Sequence, residues 1–226
     1  MSQTSESSKA AANGTGVVGV LLAGGQSRRM FAEVTGSGDK GLLELGGRPM
    51  ISHVVSRLAP QVGALVINAN GDPTRFELFG LPVVADTLDG YVGPLAGVLA
   101  GMRWAACNRP RAQYIVTAST DAPFLPRDLV RQLAGAIEGA GGGERIALAR
   151  SGGHLHPVIG LWPVELADDL ETALREGVRK VLAWTDRHGT LGVDFADEMV
   201  RGHAVDPFFN ANTPAELEQA RHLVDP

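Results

Sequence analysis

The residues best suited to chemistry lie near the start of the chain, in Gly24-Gly25-Gln26-Ser27-Arg28-Arg29 and, shortly after, Asp39-Lys40. They follow the apolar run Val17, Val18, Val20, Leu21 and Leu22, which reads as a buried strand. Two glycines at a strand end let the backbone turn sharply and aim N–H groups at one spot. Arg28, Arg29 and Lys40 place positive charge beside that spot. Clustered main-chain donors next to cations form a phosphate cradle. The chemistry expected is polyphosphate binding, and hence nucleotide use. A plain strand-to-helix turn with solvated charges is the alternative.

Other phosphate motifs are excluded. No Gly-Lys-Ser/Thr follows at P-loop spacing. Gly14-Thr15-Gly16-Val17-Val18-Gly19 precedes the strand, and Gly36-Ser37-Gly38-Asp39-Lys40-Gly41 follows a polar loop. Neither sits where the dinucleotide fingerprint needs a strand before it and a helix opening inside it. Ser27 lacks the G-x-S-x-G setting of a hydrolase nucleophile.

A second chemical position is Asp121 in Thr120-Asp121-Ala122-Pro123-Phe124-Leu125-Pro126, directly after a strand-like Tyr114–Ala118. One carboxylate facing a polyphosphate suits Mg²⁺, which keeps several waters and is commonly held by one or two carboxylates plus phosphates. A turn aspartate before proline is the competing reading. Asp86 could meet a second metal face or a ribose, or cap a turn. Asn68 could bond a base edge or ribose, or cap its strand. Lys40 could pair with phosphate oxygens as charge builds in a transition state, or be a surface lysine. Asn210 and Asn212 could present two amides to a ligand, or satisfy loop backbone. His154 and His156 share a strand face, but no third metal ligand is suggested nearby, so they read as a polar wall or surface.

These positions need a scaffold, and the chain alternates strand and helix patterns. Strands are expected at Val17–Ala23, Ala64–Asn68, Pro82–Ala85, Tyr114–Ala118, Arg145–Ala149, Val158–Leu161 and, at an edge, Thr190–Val193. Helices are expected at Pro49–Leu58, Pro94–Ala106, Pro126–Ile137 and Val164–Leu174. A last helix opens with Thr213, Pro214 and Glu216, a capping box with proline at its first position. Leu42–Leu45 with Gly46-Gly47 fits a short strand or a loop. The pattern predicts an α/β fold of three layers, a mostly parallel sheet with helices on both faces. Ligands of such sheets bind outside the strands' carboxyl ends, which gathers Gly24-Gly25, Asn68-Ala69-Asn70, Asp86 and Asp121 on one rim.

The chain has 226 residues, 44% of them hydrophobic, enough for one sizeable core. Residues 1–15 are rich in Ser, Ala and Gly and read as a disordered tail, leaving 16–226 as a single domain. A net charge of −5 with 20% charged residues argues against a broad nucleic-acid face. No apolar run reaches the roughly 18 residues of a membrane span, so neither nucleic acid nor membrane is expected as a partner, and a cytoplasmic enzyme is. Cys107, the one cysteine, excludes an internal disulfide and reads as a small buried hydrophobe among Trp104, Ala105 and Ala106.

Taken together, Leu22-Ala23-Gly24-Gly25-Gln26-Ser27-Arg28-Arg29-Met30, Asp39-Lys40-Gly41-Leu42-Leu43-Glu44-Leu45, Gly93-Pro94-Leu95-Ala96-Gly97, Asp121-Ala122-Pro123-Phe124-Leu125-Pro126, His156-Pro157 and Asn210-Ala211-Asn212-Thr213-Pro214 resemble the molybdenum cofactor guanylyltransferases. The likeness runs from about Val17 to the C-terminus. It implies a Rossmann-like nucleotidyltransferase that uses GTP and Mg²⁺ and attaches GMP to molybdenum-bearing molybdopterin, releasing pyrophosphate. By that resemblance Leu22, Ala23, Gly24 and Lys40 contact the nucleotide, and Asn68 and Asp86 recognise it. Asp121 holds the metal, Arg29 lies beside the phosphates, and catalysis falls to Lys40, Arg29 and Asp121. Asn210 and Asn212 belong to the pterin side, formed by the C-terminal half. Molybdoenzyme-maturation proteins are the further partners implied. One departure stands out. Phe31 to Gly38 separates Met30 from Asp39, where the family runs from Arg-Met-Gly almost directly into Asp-Lys. Extra loop length costs about one kcal/mol or less in closure entropy. Two other functions remain open on these residues: a cytidylyl- or sugar-phosphate nucleotidylyltransferase on the same fold, and a non-catalytic carrier of the finished cofactor.

Overall fold

The computed structural model of the chain describes residues 16–24, 39–88, 90 and 93–224. The tail read at 1–15 and the segment holding Gly25, Arg28 and Arg29 lie outside the described residues. In chain order the elements are β1 (Val17–Leu22), the short pair β2 (Glu44–Leu45) and β3 (Arg48–Pro49), α1 (Met50–Leu58), β4 (Ala64–Asn68), β5 (Val83–Val84), α2 (Pro94–Asn108), β6 (Tyr114–Ser119), α3 (Leu129–Gly139), β7 (Ala147–Ser151), β8 (His154–Pro163), α4 (Ala167–Arg175), α5 (Val181–Thr185), β9 (Leu191–Asp194), the hairpin β10 (Glu198–Val200) and β11 (His203–Val205), and α6 (Pro214–Val224).

Seven strands form the main sheet in the order β5-β4-β1-β6-β8-β7-β9. Neighbours run parallel except at β8, which is antiparallel to both β6 and β7. The mostly parallel, helix-covered sheet expected from the alternation is therefore present. Successive β1 side chains go to opposite faces. Val17 and Leu21 join a core with Ile51, Val54 and Leu58 of α1 and Leu129, Leu133 and Ile137 of α3. Val18 and Val20 join the opposite core, built on α2, α4 and α5. Each fully buried leucine contributes about 1.5–3 kcal/mol of transfer free energy, so both layers are held mainly by apolar burial.

Helix α2 lies against β1 because glycines remove the bulk between them. A Cβ on Gly97 would stand 2.3 Å from Asn68 Oδ1 and 2.7 Å from Leu22 Cδ2. Only the absent side chain allows this approach, and it seats the helix N-terminus at the rim of the sheet.

Several expectations shift. Helix α3 starts at Leu129 rather than Pro126, since residues 126–128 form a turn. Strand β8 is ten residues long and includes Pro157, where the sequence pattern begins it at Val158. Its pairing with β7 slips between Leu148 and Arg150, and this irregularity accommodates a residue with no N–H to donate. Leu42–Leu45 resolves into a 3-10 turn at Lys40–Leu42 and the strand β2, with Gly46 and Gly47 both at positive φ in the turn to β3. Cys107 is exposed, contrary to the buried role expected of it. Burial along α2 ends at Ala105, and Cys107 falls in the last, projecting turn. Among the described residues no helix is long and apolar enough to cross a membrane.

Candidate active site

At the carboxyl ends of β1, β4 and β6 lies a cleft of about 200 Å³, lined by Leu22, Gly24, Asn68, Asp86, Gly93, Pro94, Gly97, Ser119 and Val158. Four of these, Leu22, Gly24, Asn68 and Asp86, are nucleotide-site candidates from the sequence. Ala23 turns into the core instead, and its N–H donates to the Asn68 carbonyl at 2.9 Å. This bond ties the β1 corner to the end of β4.

On one side of the cleft Asp86 is held in a fixed orientation. Asn68 Nδ2 donates to Asp86 Oδ1 at 3.0 Å, and Asn70 Nδ2 donates to Oδ2 at 2.8 Å. The Asp86 N–H in turn donates to Asn70 Oδ1 at 2.9 Å. Both carboxylate oxygens are thus spoken for by amides, in place of the turn-capping role left open by the sequence. The sequence marks Asn70 as one of an amide pair; its reciprocal bond with Asp86 is set by tertiary structure.

The other side is built around Lys40 and Asp121. The Asp39 side chain accepts from the Gly41 N–H at 3.0 Å and caps the 3-10 turn that carries Lys40. Burial pushes the Asp39 carboxyl above its ordinary range, opposed by the Gly41 bond and by Arg75, whose Nε lies 3.8 Å away. Gly41 lets this turn press on the segment after β6, because a Cβ there would lie 2.8 Å from the Thr120 side chain. Lys40 Nζ then donates to Asp121 Oδ2 at 2.5 Å and to Asn212 Oδ1 at 2.6 Å. Asp121, only 5% exposed, also accepts from the Ser119 hydroxyl, and Ser119 lines the cleft.

Asn212 is brought to Lys40 by the cap of α6. The Glu216 N–H donates to Thr213 Oγ1 at 3.2 Å, and Glu216 Oε2 accepts from the Thr213 hydroxyl at 3.0 Å and the Asn212 N–H at 2.9 Å. The capping box expected at Thr213 forms, with its carboxylate reaching one residue further back than the usual pattern. Asn210 is placed differently: its Oδ1 is buried and has no hydrogen-bond partner among the described residues. The Ala211 N–H between them donates to the Asp121 carbonyl at 3.2 Å. Arg29 lies outside the described residues.

No group of three or more His, Cys, Asp and Glu side chains is placed to hold a metal ion among the described residues. Asp121 offers one carboxylate, with Oδ2 on Lys40 Nζ and Oδ1 on the Ser119 hydroxyl, so a hard cation there would take most of its ligands from phosphates and water. The positive end of the fifteen-residue helix α2, with Gly93 and Pro94 at its start, borders the same cleft and favours an anionic ligand.

The mostly parallel, helix-covered sheet is the α/β fold of the nucleotidyltransferases of known structure. A crystal structure of molybdopterin-guanine dinucleotide biosynthesis protein A from Archaeoglobus fulgidus matches with a TM-score of 0.65 at 25% identity, over 91% of this chain and 97% of that one. Residues 19–190 match the MobA-like NTP transferase domain, and the chain belongs to that family. It is 50% identical over 210 residues to a molybdenum cofactor guanylyltransferase of Bradyrhizobium sp. (strain ORS 278), covering 92% of this chain and 93% of the relative. A relative of the same name from Mesorhizobium japonicum is 47% identical over 209 residues, covering 92% and 96%.

Proposed function

We infer that this chain transfers GMP from GTP to molybdenum-bearing molybdopterin, forming the guanine dinucleotide cofactor and releasing pyrophosphate. The single observation that carries the reading is the junction of Lys40, Asp121 and Asn212 beside a cleft that also holds Asn68 and Asp86. High-coverage relatives named as guanylyltransferases support it over a cytidylyl- or sugar-phosphate transferase. Membership of a transferase family disfavours a passive carrier.

In this reading the nucleobase and ribose lie toward Asn68 and Asp86, and the triphosphate lies toward Gly24, Lys40 and Asp121. A terminal phosphate oxygen of the pterin attacks the α-phosphorus in line. The bond to the β-phosphate oxygen breaks, and pyrophosphate leaves. The attacking phosphate is already ionised at neutral pH, so no strong base is required. Positioning alone can supply about 7–11 kcal/mol. Lys40 has three N–H donors, of which two are committed to Asp121 and Asn212. The third is available to a phosphate oxygen, so one side chain links the nucleotide side to the pterin side. Arg29, outside the described residues, is assigned further positive charge toward the phosphates by the family resemblance alone. Asp121 would hold a divalent cation, Mg²⁺, whose chemistry is neutralisation of the phosphate charge. Asn210 and Asn212 face the acceptor.

Titration with GTP, ATP, CTP and UTP, with and without Mg²⁺, tests the nucleotide half of this reading. GTP should bind most tightly and lose affinity without the cation. Tighter binding of another triphosphate would overturn it.

A further inference from the structure

A polar cluster stands on the same rim, outside the cleft. Strand β8 runs antiparallel to β6, so its first residues lie where the parallel strands end. There Ser151 at the end of β7, His156 in β8 and Asp206 after β11 meet. The Ser151 hydroxyl donates to Asp206 Oδ1 at 2.8 Å, and its oxygen lies 2.7 Å from His156 Nε2. Ser151 is buried at 3% exposure, and Asp206 Oδ1 is further fixed by the Phe208 N–H at 2.9 Å. The serine proton is committed to the carboxylate, so Ser151 accepts from His156. That places the imidazole proton on Nε2 and leaves a lone pair on Nδ1. Nδ1 has no hydrogen-bond partner among the described residues.

Chain connection relates this cluster to the reacting centre. The segment from Asp206 runs through Phe208, whose ring lies 4.7 Å from the His156 ring, to Ala211 on Asp121 and Asn212 on Lys40. Six residue steps reach at most about 20 Å. Asn210, with its buried unpartnered Oδ1, lies along that path. From the opposite direction, Val158, two residues after His156, lines the cleft.

We propose that His156 is an acceptor-recognising residue, held in its neutral acceptor tautomer by Ser151 and Asp206 and backed by the buried Phe208 ring, and that it takes an N–H donor of a flat nitrogen heterocycle. This deepens the guanylyl transfer reading and rests on it, with the pterin ring as the heterocycle. His156 contacts the acceptor; Ser151 and Asp206 are positioning residues.

The test compares wild type, Ser151→Ala, Ser151→Thr and His156→Gln. Pyrophosphate release is followed against molybdopterin concentration at saturating GTP, with GTP affinity measured separately in the absence of acceptor. Transfer by the wild type establishes the underlying reading, and its absence would defeat that reading whatever the variants do. Given transfer, His156→Gln and Ser151→Ala should each raise the KM for molybdopterin about tenfold, the scale of one lost hydrogen bond. Ser151→Thr should restore it, while kcat and GTP affinity stay within twofold. If His156→Gln fails to fold, Ser151→Ala, which removes one oxygen, carries the same comparison. A wild-type KM for molybdopterin in Ser151→Ala, or an equal loss of GTP affinity, overturns the proposal.

Discussion

Lys40 and Asp121 are 81 residues apart in sequence and meet at 2.5 Å. The contact joins the turn after the β1 loop to the segment after β6, and Asn212 adds the C-terminal segment to the same ammonium group. Three motifs thus converge on one cation.

Asp121→Asn keeps the shape of the side chain and removes its charge. GMP transfer should fall about 10²- to 10³-fold, the scale on which preorganised charge stabilisation is lost at other sites. The melt should stay cooperative but move down, because the neutral amide leaves the Lys40 ammonium without its carboxylate partner while the apolar core layers are untouched. Pyrophosphate release and thermal unfolding check both halves. An unchanged rate would remove Asp121 from the reaction.

Gly97→Ala drives a methyl group to within 2.3 Å of Asn68 Oδ1. Asn68 must move, and its bond to Asp86 goes with it. Overpacking of this kind costs about 1–3 kcal/mol in stability. We expect a lower melting temperature together with weaker GTP binding by calorimetry. Weakened folding with full GTP affinity would separate α2 packing from the nucleotide site.

Asn70→Ala removes the donor to Asp86 Oδ2 and the acceptor for the Asp86 N–H. If Asp86 recognises the nucleotide, its loosened carboxylate should raise the KM for GTP by about tenfold and narrow the preference for GTP over ATP, while kcat changes little. Competition kinetics with the two nucleotides measure this directly, and an intact preference would argue that Asp86 does not read the base.

Burial holds the His156 imidazole below its ordinary value of about 6.5, with His154 adding to that effect and Asp206 opposing it. The native state therefore favours the neutral ring. As pH falls through the ordinary value, the unfolded chain takes up the proton before the native chain does. The stability gained from this group is complete above about pH 6.5 and declines on acidification. Denaturant unfolding between pH 8 and pH 5 should show a shallower acid loss in His156→Gln than in wild type. Parallel curves would contradict the assignment.

Much of the scaffold was legible because its signals are local. The apolar run at Val17, the proline openings of α1 and α2, and the capping residues at Thr213 and Glu216 act over a few residues. Lys40, Asn68, Asp86 and Asp121 were legible because each sits just past a strand or in a punctuated motif. Strand β8 was read short because Pro157 breaks the pattern, while tertiary pairing tolerates it through an irregular register. Cys107 is exposed against expectation because its apolar neighbours say nothing of where helix α2 leaves the sheet. The hairpin Glu198–Val205 went unseen because its three-residue strands are too short for alternation to register. The contact of Ser151 with Asp206 spans 55 residues and has no local signature.

The central claim is tested most directly by incubating the protein with molybdenum-bearing molybdopterin, Mg²⁺ and each of the four nucleoside triphosphates in turn, while pyrophosphate and the nucleotide joined to the pterin are quantified. GTP should yield one pyrophosphate for each GMP transferred, well ahead of ATP, CTP and UTP. No pyrophosphate from GTP, or faster transfer from another triphosphate, would contradict it.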